Sequence, residues 1–160
     1  MIELLRGDIL SIEADAAVVS AHPTLIAGSG LSGHFHKGAG ANLEKVARPL
    51  GPLTPGNSVV TAGFELQFSL VVHAVAPRYI YGTAEEETLL RQTYFSVFNQ
   101  EALRQVKSVV FPAIGVGVYG WPIPLATSIA VAALKESPFE KTIVCLFDQD
   151  NYDAYRMLMT

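Results

Sequence analysis

Five short apolar runs rich in valine and isoleucine punctuate this chain, at residues 16–21, 58–62, 70–76, 108–114 and 142–147. Runs of this length without polar alternation are the pattern of strands buried on both faces, and such strands need helices packed on either side of their sheet. The intervening segments supply those helices. Residues 84–106 carry Leu90, Tyr94, Val97, Phe98, Ala102 and Val106 as an apolar stripe, preceded by Thr83 and Glu86 at capping-box spacing. A second helix is expected over 32–48, ending before Pro49 and Gly51, and a third from near Pro122 to before Pro138. The last begins near Asp150, with Tyr152, Tyr155 and Met159 on the face that docks. Strands alternating with helices in this way predict a three-layer α/β domain with a mostly parallel sheet. The cluster G-P-L-T-P-G at 51–56 reads as a turn inside that domain, so residues 1–160 form one unit.

At 160 residues and 50% hydrophobic content the chain can bury a substantial core. Its formal charge of −4 offers no broad basic face, which argues against general nucleic-acid binding. The single cysteine, Cys145, lies in the apolar run T-I-V-C-L-F, where packing is the expected role and an internal disulfide is excluded. The opening M-I-E-L-L-R-G-D lacks a basic stretch followed by a long apolar one. No apolar segment approaches the ~20 residues that span a bilayer. The expectation is a soluble, cytoplasmic protein with no membrane partner.

Two hexapeptides share one glycine spacing: G-S-G-L-S-G at 28–33 and G-V-G-V-Y-G at 115–120. That spacing matches a dinucleotide fingerprint, but neither copy has the context the fingerprint needs. The first stands six residues beyond its strand, and the second runs into W-P-I-P. What both offer is backbone amides that can converge on an anion without a side chain in the way, with a helix start downstream. Two such loops at the carboxyl ends of buried strands would grip a diphosphate from two sides.

These motifs, taken in order along nearly the whole chain, resemble the macrodomain family of ADP-ribose-binding modules. R-G-D-I-L is similar to the family's G-D-I element, D-A-A-V-V-S-A-H to D-A-I-V-N-A-A-N, and G-S-G-L-S-G-H-F-H-K-G-A-G to G-G-G-V-D-G-A-I-H-x-A-A-G. F-P-A-I-G-V-G-V-Y-G-W-P and C-L-F-D-Q-D-N-Y follow in family order. The resemblance implies an α/β/α sandwich with a mixed, mostly parallel sheet of about six strands. It implies ADP-ribose, a related NAD-derived nucleotide or an ADP-ribosylated protein as partner, with no cofactor. Carried over by position, Asp8 accepts from the adenine amino group, as suits a pure acceptor. Ile9 positions the ring, Phe147 lies against it, and Ala21 lines the site. Gly28, Gly30, Leu31, Ser32 and Gly33 hold the diphosphate and distal ribose. Gly115, Val116, Gly117, Val118, Tyr119 and Gly120 close over the phosphates, with Tyr119 covering the distal ribose.

The resemblance departs where hydrolytic members carry their machinery. His22 stands for the last asparagine of N-A-A-N, Val19 for the first, and Ser32 for the aspartate of G-G-V-D-G. A serine hydroxyl is a poor base beside a carboxylate, whereas His22 could exchange a proton near neutral pH. His22 and Ser32 are therefore the candidate catalytic positions, and a binder with weak or absent hydrolysis is the expected outcome. The alternatives are an ADP-ribosylhydrolase, acting on proteins or deacetylating O-acetyl-ADP-ribose, and a sensor or sink for another NAD-derived nucleotide. No metal is expected, because His34 and His36, two apart on a helix, do not share a face and no cysteine lies near. His36 and His73 read as structural.

Overall fold

The computed structural model describes residues 2–159; Met1 and Thr160, the ends of the unit expected over 1–160, lie outside them. The strands are β1 (Ile2–Arg6), β2 (Ala16–Ser20), β3 (Asn57–Ala62), β4 (Leu70–Val75), β5 (Ser108–Phe111) and β6 (Lys141–Leu146). The helices are α1 (Gly30–Ala39), α2 (Ala41–Ala47), α3 (Ala84–Phe98), α4 (Ile123–Leu134) and α5 (Gln149–Met159). One mixed sheet runs in the order β1-β6-β5-β2-β4-β3, parallel throughout except for the antiparallel β3–β4 pair at its far edge.

Alternation along the strands divides the interior. Ala16 and Val18 of β2 join Val72, Phe111 and Val144 in a core that packs against Tyr94 of α3, Leu134 of α4 and Tyr155 of α5. Ala17 and Val19 face the other way, toward Phe35 of α1, together with Val71, Ile143 and Cys145. The inner strands β2, β4, β5 and β6 thus bury two faces, as their apolar runs require. The result is the three-layer sandwich, with α1 on one side and α3, α4 and α5 on the other. Among the described residues no helix is long and apolar enough to cross a membrane.

Local departures from the sequence reading have local causes. The helix expected over 32–48 is two helices. Gly40, at φ +87°, turns the chain between α1 and α2, a conformation open to glycine at little cost. The helix expected to reach Val106 ends at Phe98, where the Asn99 N–H donates to the Phe95 carbonyl and a 3-10 turn at Glu101–Leu103 plugs Leu103 into the core. Its start is as expected: Thr83 and Glu86 form the full capping box. The Glu86 carboxylate also accepts backbone N–H groups from Ile80, Tyr81 and Gly82, which orders the loop before α3.

Candidate functional site

Because β1, β6, β5 and β2 are parallel, their carboxyl ends share one edge of the sheet. There the connections diverge to opposite faces and leave a cleft of about 530 Å³. Open α/β sheets bind ligands at this edge. Gly7, Asp8 and Ile9, just beyond β1, form one end of the cleft with Leu146, Phe147 and Asp148 beyond β6. Gly30, Leu31 and His34 of α1 form one wall. Pro112, Ala113 and Val116, after β5, form the other. Leu31 packs on the core at one face of the sheet and Val116 on the core at the opposite face, so the two glycine-rich segments meet across one opening.

The first wall presents unpaired donors. Ser29 caps α1 with extended backbone but no side-chain hydrogen bond, leaving the orphan amides of the first turn free for an anion. At the second wall the 3-10 turn Gly117–Tyr119 likewise starts without a side-chain cap. Asp8 caps the short turn Ile9–Ser11, its Oδ1 accepting the Leu10 N–H at 2.9 Å, and the same oxygen accepts from His34 Nε2 at 2.9 Å. The Leu10 amide and then His34 hold this carboxyl below the ordinary carboxylate range. Phe147 is 83% exposed and presents its ring at the cleft, which excludes core packing as its role.

Cys145 lines the floor of the cleft, its thiol 3.5 Å from the Gly7 carbonyl and pushed up to about 11 by burial and then by the Asp8 charge. It is a neutral packing group at physiological pH, not a thiolate nucleophile. Beside it Asn151 is held by Asp148, whose carboxylate accepts both the Asn151 N–H and its side-chain amide.

Of the residues expected at the site, Asp8, Ile9, Gly30, Leu31, Val116 and Phe147 line this cleft. The rest do not. Ala21 is buried in a small core with Leu25, Ala47 and Val75. Gly28 and Gly33 line a separate crevice behind the first loop, beside His36 and Glu44. They shape the loop, since a Cβ at Gly33 would stand 2.9 Å from the Gly28 carbonyl oxygen. Ser32 faces inward, with its hydroxyl buried and without a hydrogen-bond partner. His22 is exposed, its Nδ1 accepting the Thr24 N–H at 3.1 Å. Gly115 packs under Trp121, Val118 is 86% exposed, and Gly117 and Gly120 are exposed beyond the wall. Tyr119 is half-buried under the Arg78 guanidinium, 5.0 Å from its ring centroid.

Residues that sequence reasoning passed over include Gly7, His34, Pro112, Ala113, Asp148 and Asn151. His34 shares a helix face with Gly30 only because α1 begins at Gly30 and not at 32; the others depend on how connections leave the strands. Among the described residues no three histidine, cysteine or acidic side chains gather as a metal site. His36 and His73 lie buried with ring centroids 6.3 Å apart, and His73 Nε2 pairs with Thr61 Oγ1 at 2.9 Å.

Comparison with known proteins agrees with this architecture. A family model described as Macro domain matches residues 18–130. An O-acetyl-ADP-ribose deacetylase of Enterobacter cloacae is 34% identical over 169 aligned residues, spanning 99% of this chain and 93% of that protein. The enzyme of the same name from Escherichia coli K12 is also 34% identical, over 99% and 95%. Among solved structures, a variant of the Oceanobacillus iheyensis macrodomain with ADPR superposes with a TM-score of 0.93 at 28% identity, over 99% of this chain and 91% of that one. A Trypanosoma brucei macrodomain in complex with ADP-ribose gives 0.88 at 28% identity, over 99% and 69%.

Proposed function

Since this chain belongs to the macro domain family, we propose that it recognises ADP-ribose, free or attached to a protein, with weak or absent hydrolysis. The observation that carries this reading is the meeting of Gly30–Leu31 and Val116 across one cleft whose far end is made by Asp8, Ile9 and Phe147. A diphosphate between the two walls lies within reach of the uncapped amides of α1. Adenine at the far end finds an acceptor in the Asp8 carboxylate and an apolar ring in Phe147. Support for weak turnover comes from the two candidate catalytic positions. The Ser32 hydroxyl is buried off the cleft, and the His22 ring nitrogen is engaged with Thr24. A water aimed at the anomeric carbon lacks an oriented base from either.

The second reading is favoured by the relatives named O-acetyl-ADP-ribose deacetylase. In it the chain turns over through residues other than those of its hydrolytic relatives. Calorimetry with ADP-ribose, followed by incubation with O-acetyl-ADP-ribose and with an ADP-ribosylated protein, separates the two. Binding without release of acetate or ADP-ribose supports a recognition module. Release that is abolished in His22→Ala establishes an enzyme and overturns that preference. No heat at millimolar ADP-ribose overturns both and leaves another NAD-derived nucleotide as the ligand.

A further inference from the structure

We propose that His34 contacts the ligand and, in its protonated form, supplies the cation that this cleft otherwise lacks, so that the nucleotide binds together with a proton. The inference rests on the nucleotide reading above and names how the site neutralises a diphosphate.

The geometry fixes what His34 can do. A carboxylate only accepts, so Nε2, 2.9 Å from Asp8 Oδ1, carries a hydrogen. The remaining ring nitrogen, Nδ1, then presents either a bare lone pair or a second N–H. His34 is half-exposed, and it lines the same wall as Gly30 and Leu31, four and three residues before it on α1. Residues so spaced are neighbours on one helix face, with Cβ atoms about 5–6 Å apart. The ring therefore shares the wall of the first-turn amides while its Nε2 reaches Asp8. His36, on the other face of α1, is buried toward His73 and does not line the cleft.

Charge then decides which form the ligand selects. The acidic side chains that line the cleft are Asp8, before the turn after β1, and Asp148, before α5. Cys145 on β6 is a neutral thiol. Among the described residues lining the cleft there is no lysine or arginine; Lys37 borders the crevice behind the loop, with Glu44. A diphosphate therefore enters a cleft that holds two carboxylates and, for attraction, one helix terminus. An Nδ1 lone pair beside that anion is repelled, while an Nδ1–H is attracted and donates. A nearby anion favours the charged form of an imidazole, so a bound diphosphate selects the protonated ring. ADP-ribose itself stays out of this exchange. Its diphosphate is esterified at both ends and lacks the ionisation near pH 6 of a phosphate monoester.

The test is calorimetry of ADP-ribose near pH 7.3 in MOPS and in Tris, buffers of different ionisation enthalpy, with the wild type and His34→Gln. The wild type is expected to take up a fraction of a proton. Its affinity should fall between pH 6 and 8 with a slope of at most about tenfold per unit. His34→Gln should bind more weakly, without that uptake and with a flat profile. Should the variant bind too weakly to titrate, proton NMR of the four histidine rings in the wild type, with and without ADP-ribose, serves instead. The resonance missing from the variant's spectrum must be the one whose titration midpoint rises with ligand. Binding by the wild type with buffer-independent heat overturns this inference alone, as does undiminished uptake in His34→Gln or a midpoint that stays put. No binding heat from the wild type overturns the nucleotide reading and this inference with it.

Discussion

Glu44 Oε1 accepts the backbone N–H of Ala27 at 3.0 Å, which ties the approach to the first glycine loop to helix α2. Gly28 follows directly, so the carboxylate sets the path by which the chain enters α1. Glu44→Ala removes the acceptor and leaves a partly buried amide unpaired, at a cost on the order of 1–3 kcal/mol. The expected outcome is ADP-ribose affinity lowered about tenfold, with a smaller loss in Glu44→Gln, whose carbonyl still accepts. Calorimetry beside thermal unfolding checks it. An affinity loss no larger than the fall in fold stability explains would mean that the tether does not act on the loop.

Asp8 caps a turn and lines one end of the cleft. Asp8→Ala should weaken ADP-ribose by roughly 1.5–3 kcal/mol, the scale of a hydrogen bond to a charged group. Asp8→Asn tells the roles apart, because its side-chain oxygen can still cap Leu10 while the carboxylate is gone. If both variants bind ADP-ribose like the wild type, Asp8 belongs to the turn alone.

His73 makes the fold sensitive to mild acid. Burial first, and neighbouring His36 second, push its imidazole down to about 4. Unfolding returns it to an ordinary value of ~6.5. Between those values the unfolded chain binds the extra proton, so stability is complete above pH 6.5, declines as the pH falls, and levels off below 4 as far as this group is concerned. The contribution is at most roughly 3 kcal/mol. Denaturant unfolding between pH 7.5 and 4 should show this decline. His73→Gln, which can still pair with Thr61, should flatten the profile; an unchanged profile in that variant would assign the decline to other groups.

Gly117 sits at φ +83° with open space where a Cβ would lie. The Cβ of Gly117→Val therefore meets no neighbour, and backbone strain costs about 1–2 kcal/mol. The domain should stay folded by circular dichroism while ADP-ribose affinity falls by tenfold or more, because bulk now stands at the approach to the second loop. Retained affinity would take Gly117 out of the binding surface, as its exposed position beyond the cleft wall allows.

The strands were legible where both faces are buried. β2, β4, β5 and β6 announce themselves as unbroken apolar runs, and their burial agrees. β3, at one edge of the sheet, was read as well from its S-V-V-T-A run; β1, at the other edge, was not, because Glu3 and Arg6 interrupt its I-E-L-L-R with charge. The glycine loops were legible as places where backbone must come close to something. Which glycine lines the cleft and which meets its own chain was not, since Gly30 and Gly33 differ only in what the fold sets beside them. For the same reason His34 was hidden: a histidine directly after a glycine loop gains meaning only when Asp8, from 26 positions away, comes to lie against it.

Strand β1 pairs with a single strand, β6, and its tip runs straight into the cleft. A marginal strand of this kind is where fraying begins. A nucleotide gripping Asp8 at one end and α1 at the other would clamp that margin to the middle of the molecule. Occupancy would then be felt as slowed amide exchange in β1, more than twenty positions along the sequence from Gly30.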